Sequence, residues 1–265
     1  MAKRVGIIGV GGRMGGALLR AIAESSDLSL ASALDRSGST VVGQDAGTLI
    51  GGAPSGVFVG HDLDRALVGL DVAIDFSRAD STAAHAAACA RARVPLLIGT
   101  TGLDDAVMGL IDQATTRIPI LVAANTSLAL NVLLELVRQA AAALPAEFDI
   151  EILEAHHRHK VDAPSGTALV LADAAAAGRG DGSERRSGDR SGARQAGDIG
   201  FSVVRGGDVI GEHEVRFLGS GEQLRLGHVA TDRALFARGA LAAARWLSGQ
   251  SPGRYHMSDF LFTKQ

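Results

Sequence analysis

The sequence predicts a two-part α/β fold: a doubly wound parallel sheet, followed by a second α+β domain with an open mixed or antiparallel sheet. Three observations carry this. The apolar run Val5-Gly-Ile-Ile8 leads through a glycine-rich turn into Ala17-Leu-Leu-Arg-Ala-Ile-Ala23, whose apolar residues recur at helical spacing. Short apolar runs and helical patterns then alternate to about residue 126, as strands and crossover helices do in a parallel sheet. From residue 148 the pattern changes: Phe148-Asp-Ile-Glu-Ile-Leu153 alternates at period two, and glycine pairs separate the later runs.

The first strand, turn and helix contain Gly9-Val-Gly-Gly-Arg-Met-Gly15. Gly9 allows a tight turn, Gly12 lets the backbone approach a pyrophosphate, and Gly15 lets helix and strand pack closely. A second strand over 28–34 ends in Asp35, placed to bind ribose hydroxyls. Arg36 follows, and it and Arg13 could reach the 2′-phosphate of NADP; a solvated surface charge is the other reading of Arg36. This is a Rossmann-type fingerprint in its proper context.

Residues 37–56 read as a loop, 57–59 as a short strand and 64–69 as a short helix. Strands are expected at 72–76, 94–98 and 119–123, with helices at 81–92 and 103–115 between them. Phe76-Ser77, Gly99-Thr-Thr101 and 123–126 all follow strands, where ligands of such sheets lie. A helix over 131–144 ends at Pro145, and another is expected over 168–177. Residues 178–197 read as a mobile loop; Arg185, Arg186, Arg190 and Arg194 in it are either solvated or able to close over an anion. Runs at 201–205, 209–217 and 223–229, separated by Gly206-Gly207 and Gly219-Ser-Gly221, read as hairpin-linked strands. The open sheet they imply has a face that needs a partner subunit. Asp232 is expected to cap a final long helix. The division is thus 1–126 and 127–235, with 236–265 returning to the first part.

Hydrophobic residues make up 46% of the 265 positions, enough for a sizeable core. A net charge of −3 and an aromatic content of 4% argue against nucleic-acid binding. The lone Cys89 excludes an intramolecular disulfide and a Cys-based zinc site, and no metal site is assigned. No apolar run approaches the roughly 18 residues of a membrane span, and no signal segment precedes the first strand. A soluble cytoplasmic chain is expected.

The chemistry concentrates at 151–168, Glu-Ile-Leu-Glu-Ala-His-His-Arg-His-Lys-Val-Asp-Ala-Pro-Ser-Gly-Thr-Ala. Five consecutive positions, His156 to Lys160, can hold charge or protons near neutrality. Ser165-Gly-Thr167 then opens a helix, whose N-terminal N–H groups suit a small anion. A dinucleotide half facing such a cluster is the layout of a reductase: the cofactor brings hydride, and Lys160 and His156 are candidate proton donors. His213 and His228, lying in strands, are left out of the site.

These residues carry a resemblance to the 4-hydroxy-tetrahydrodipicolinate reductase (dihydrodipicolinate reductase) family. Residues 151–168 are similar almost throughout to the family's Glu-Ile-x-Glu-x-His-His-x-x-Lys-x-Asp-Ala-Pro-Ser-Gly-Thr-Ala. Gly-x-Gly-Gly-Arg-Met-Gly at 9–15, the acid–Arg pair at 35–36, Asp-Phe-Ser at 75–77, Gly-Thr-Thr-Gly at 99–102 and Gly-Glu-His-Glu at 211–214 agree with it. The resemblance implies that His156 is the acid/base residue and Lys160 the proton donor. It implies that His157, Gly166 and Thr167 bind a small dicarboxylate substrate. It assigns Gly9, Val10, Gly11, Gly12, Arg13, Met14, Asp35, Arg36, Gly99, Thr100, Thr101, Ala123, Ala124, Asn125 and Thr126 to NADPH and/or NADH. It also implies a homotetramer built through the second domain's sheet. The chain departs from the family where Thr126 replaces an aromatic that commonly lies beside the nicotinamide, and Ala129 replaces a glycine.

Overall fold

The computed structural model describes residues 2–180, 186–187 and 193–263. Arg185, Arg190 and the side chain of Arg186 lie outside the described residues. Two compact units are present. One comprises the chain up to Leu128 together with the chain from Ala234 onward; the other is Ala129–Arg233.

The first unit opens with β1 (Lys3–Ile8), α1 (Arg13–Ala23) and β2 (Leu28–Leu34). There follow α2 (Leu63–Ala66), β3 (Val72–Asp75), α3 (Ala79–Ala92), β4 (Leu96–Ile98), α4 (Asp105–Thr115) and β5 (Pro119–Val122). These strands are all parallel, and they alternate their side chains between two cores. Val5, Ile7, Val72, Ile74, Leu97 and Leu121 bury one face, under α1. Ile8, Ala73, Leu96, Ile98 and Ile120 bury the other, under α3 and α4. Strands covered on both sides read as unbroken apolar runs, which is why they were visible in the sequence.

The second unit contains the rest of α5 (Leu128–Ala143), then β6 (Asp149–His156), α6 (Gly166–Arg179), β7 (Arg186–Ser187), β8 (Ile199–Arg205), β9 (Gly211–Leu218) and β10 (Gln223–Ala230). The sheet order is β10-β9-β6-β8-β7. The sheet is mixed: β6 pairs with β8 in parallel and with β9 antiparallel. One expectation is corrected here. Gly206-Gly207 does not close a hairpin between β8 and β9, because β6 lies between them. The crossover through α6 carries the chain back parallel to β6, so β8 takes that edge and β9 the opposite one. The two glycines cross the end of β6 instead, where Gly206 N–H donates to His156 O and Arg158 N–H to Gly207 O. One sheet face packs Ile150, Ile152, Val215 and Phe217 with Leu171 and Ala175 of α6. The row Val204–Ala155–Glu212–Val229 crosses the other face, and Val204 and Val229 are exposed there.

The chain then re-enters the first unit with α7 (Ala234–Leu247), β11 (Gly253–Tyr255) and α8 (Met257–Phe262). Helix α7 buries Ala237, Ala240, Leu241, Ala244 and Leu247 in the α1-side core, and β11 adds a sixth parallel strand beside β5.

Candidate active site

In the first unit the glycine turn is built as its residue types require. Gly9 has a φ of 85°, the left-handed region that favours glycine. A Cβ on Gly15 would lie 2.2 Å from the carbonyl oxygen of Val10, so only glycine lets α1 pack so near the turn. A Cβ on Gly11 would lie 2.6 Å from Asp35 Oδ2, because Asp35 accepts a 2.7 Å hydrogen bond from Gly11 N–H. Gly12 is the N-cap of α1 and supplies no side-chain cap. The first-turn N–H groups are therefore open to an anion.

These residues line a cleft of about 570 Å³ with Gly9, Gly11, Gly12, Asp35 and Arg36 in its wall. The fit to a dinucleotide is good: an uncapped helix N-terminus, a carboxylate 24 residues from Gly11 in the chain, and an exposed Arg beside it. Val10 is buried and Met14 is packed against the core, so both serve the turn through backbone and packing. Gly99 lies against Phe76, whose ring a Cβ there would meet at 2.1 Å. Thr100 and Thr101 line an adjoining recess with Ser77 and Arg78, and Thr100 Oγ1 is buried without a partner. Thr126 is 1% exposed and its hydroxyl donates 2.7 Å to Phe236 O, tying it to the C-terminal segment.

Sequence reasoning missed His85 in this cleft. It sits on α3 with Nδ1 2.8 Å from the fully buried Asp75, which also accepts from Ser77 N–H at 2.8 Å. A histidine inside an alanine-rich helix carries no local signal; only packing brings it to the strand end.

In the second unit the signature residues converge. His156 is the last residue of β6, on the same strand face as Ile150 and Ile152. Its Nδ1 lies 2.5 Å from Glu154 Oε2. An ionised carboxylate only accepts, so Nδ1 carries the hydrogen and Nε2 is left to exchange protons. That Nε2 faces Gly211, where a Cβ would approach to 3.2 Å. Burial alone would raise the Glu154 carboxyl, but hydrogen bonds from Arg205, His156 and Ser165 N–H outweigh it and hold the group below the usual range. Lys160 donates to both oxygens of Asp162 at 2.7 Å. Its ammonium keeps the Asp162 carboxyl low.

Ser165 caps α6, accepting from Ala168 N–H at 3.2 Å. Gly166, the first helical residue, is exposed with open space at its α-carbon, and Thr167 follows it. The pKa of His157 is lowered: lost hydration is the largest cause, and the neighbouring Arg233, His159, His156 and Lys160 lower it further. Its Nδ1 is buried without a partner. Arg233 thus joins the cluster. Arg158 and His159 are exposed. Arg194 is at the other end of β6, on Asp149 and Glu151, so it neither closes over the site nor is solvated.

His213 is also corrected into the site. It is 6% exposed, its Nε2 lies 3.1 Å from Ser165 Oγ, and its ring meets that of His156 edge-on at 5.0 Å. Burial, with His156 next, pushes its pKa down to about 4 from 6.5. The unfolded chain binds a proton in this window that the folded chain does not. Stability from this group is therefore complete above pH 6.5 and is lost as pH falls toward 4. At about 1.4 kcal/mol per unit the loss is at most about 3.5 kcal/mol. His213→Gln is expected to flatten the decline of urea-unfolding free energy between those pH values; an unchanged slope would count against this.

Among the described residues no cluster suits a metal ion, and no helix is long and apolar enough to cross a membrane. Comparison with known proteins agrees with the geometry. Residues 3–126 match the family model for the dihydrodipicolinate reductase N-terminus, and residues 129–261 that for its C-terminus. The chain is 48% identical to the 4-hydroxy-tetrahydrodipicolinate reductase of Thiobacillus denitrificans, over 100% of both chains. It is 49% identical to that of Parvibaculum lavamentivorans, over 97% of both. A solved structure of dipicolinate-bound dihydrodipicolinate reductase from Paenisporosarcina sp. TG-14 superposes with a TM-score of 0.79 at 25% identity, over 97% of this chain and 98% of that one. With both halves matched and relatives alike from end to end, the chain belongs to the dihydrodipicolinate reductase family.

Proposed function

We propose that His156 and Lys160 manage the proton in this reductase, while His157, Gly166 and Thr167 hold the substrate's carboxylates. The chain is an NAD(P)H-dependent oxidoreductase of lysine and diaminopimelate biosynthesis. It reduces 4-hydroxy-tetrahydrodipicolinate to tetrahydrodipicolinate with loss of water. A bound nicotinamide cofactor supplies the hydride. The observation that carries the residue assignment is the fixed His156 ring. Glu154 holds its Nδ1–H, so Nε2 is the free acid/base atom, and the same carboxylate accepts from Ser165 N–H at the N-cap of α6. Neutral His157 can donate or accept a hydrogen bond, and the ammonium of Lys160, once it leaves Asp162, offers charge and a proton together.

Gly9, Val10, Gly11, Gly12, Arg13 and Met14 cradle the pyrophosphate in this reading, and Asp35 takes the ribose hydroxyls. Gly99, Thr100, Thr101 and Ala123, Ala124, Asn125 and Thr126 surround the nicotinamide end. Both NADH and NADPH serve: Asp35 suits one and Arg36 the other. The enzyme works in the cytoplasm as a homotetramer, its subunits meeting on the open sheet face that exposes Val204 and Val229.

The test is a spectrophotometric assay with substrate generated in situ and each reduced cofactor in turn. Loss of absorbance of the reduced cofactor is expected with both, and no turnover with either would refute the function. In the same assay Arg36→Ala is expected to raise KM for NADPH about tenfold, the value of one charged hydrogen bond, and leave KM for NADH unchanged. Equal effects on both would remove Arg36 from phosphate recognition.

A further inference from the structure

Beyond the residues already assigned, Glu154 stands out. Its side chain is fully buried, and four donors converge on its two oxygens. Oε2 accepts from His156 Nδ1 at 2.5 Å and from Arg205 Nη1 at 2.7 Å. Oε1 accepts from Ser165 N–H at 3.0 Å and from Arg205 Nη2 at 2.7 Å. Arg205 further donates to Asp162 O at 2.7 Å, in the loop that carries Lys160. One carboxylate therefore joins the acid/base imidazole, the cap of the anion-binding helix and, through Arg205, the lysine loop.

We propose that Glu154 is the positioning residue of this active site: it fixes His156 with its hydrogen on Nδ1 and locks that ring to the N-terminus of α6. The inference rests on the assignment of His156 as the proton-exchanging group. A carboxylate has about four lone-pair positions, and here four donors fill them. A glutamine has one acceptor oxygen, so two of the donors would face its NH₂ group. An aspartate is one methylene shorter and cannot reach both the ring and Ser165. The Arg205 pairing keeps the carboxylate ionised despite its burial, so the group facing Nδ1 never becomes a donor. The arrangement parallels the orienting carboxylate of hydrolase triads, where loss of the charge leaves the geometry standing and selects the wrong tautomer.

A purely structural Glu154–Arg205 pair would move stability and nothing else. The decisive measurement is the ¹⁵N spectrum of histidine-labelled wild-type protein above pH 7. A positioning role requires His156 to show the Nδ1–H tautomer, and an Nε2–H tautomer in wild type overturns the proposal without any variant. Glu154→Gln should then mix the tautomers and lower kcat on the order of 10²-fold, with cofactor affinity unchanged. His156→Ala is assayed in parallel. If it is slow while Glu154→Gln runs at the wild-type rate, the positioning role fails and the assignment of His156 stands. If His156→Ala itself runs at full rate, that assignment falls and this proposal with it.

Discussion

Replacing Lys160 or His156 with alanine is expected to lower kcat by roughly 10²–10⁴-fold, the usual contribution of a positioned proton-transfer group. The two should differ in KM. In the proposed role Lys160 also brings charge to a dicarboxylate, so Lys160→Ala is expected to raise the substrate KM as well. His156 is held by Glu154 at 2.5 Å, and if it exchanges protons through Nε2 as proposed, His156→Ala should leave KM near wild type. The resting position of Lys160, bonded to both oxygens of Asp162, sharpens this. Binding a substrate carboxylate exchanges one carboxylate partner for another, so the ammonium stays paired throughout. If the two residues serve one proton transfer, the double variant should be scarcely slower than the worse single one. Steady-state kinetics at saturating cofactor decide this, and a full-rate double variant would refute both roles.

Gly15→Ala is expected to lower the melting temperature by several degrees and to weaken cofactor binding with it. The new methyl would sit 2.2 Å from Val10 O and 2.5 Å from Val10 C, both backbone atoms that no rotamer change can move. Helix α1 must then tilt from the turn, and such overpacking costs about 1–3 kcal/mol. Gly12→Ala is the contrasting case. Its Cβ would meet only Gly9 O, at 3.3 Å, and its φ of −79° is open to any residue. It should therefore fold normally, and lose cofactor affinity only if a pyrophosphate lies against that backbone. Thermal unfolding together with a fluorescence titration of NADPH separates the two. Equal behaviour of both variants would mean that Gly12 and Gly15 share one role.

Much of this molecule was legible in its sequence. Strands buried on both faces, such as Ile7-Ile8 and Leu96–Ile98, announce themselves as apolar runs, because every side chain has a core to enter. Gly9 and Gly15 are required by a turn and a contact within six residues of each other, so the local string suffices. The same holds for Ser165 and Gly166, where cap and first turn are neighbours in the chain. The individual roles proposed for His156, His157, Lys160, Gly166 and Thr167 rest instead on the resemblance of 151–168 to the family signature.

What the sequence by itself determined was most of the elements from β1 to α7, the glycine turn and the kinds of side chain available at 151–168. Tertiary structure alone decided which distant groups that chemistry meets. His213 reaches Ser165 across 48 positions, Arg205 reaches Glu154 across 51, and Arg194 goes to the far end of β6. Each depends on β6 lying between β8 and β9, a choice made by the crossover through α6 and not by any residue near the contact. Burial in this layer keeps His213 neutral, while hydrogen bonds from Arg205, His156 and Ser165 N–H keep Glu154 ionised against its own burial. Local strings encode backbone conformation; the pairing of strands and the loss of water around a side chain are properties of the folded layers.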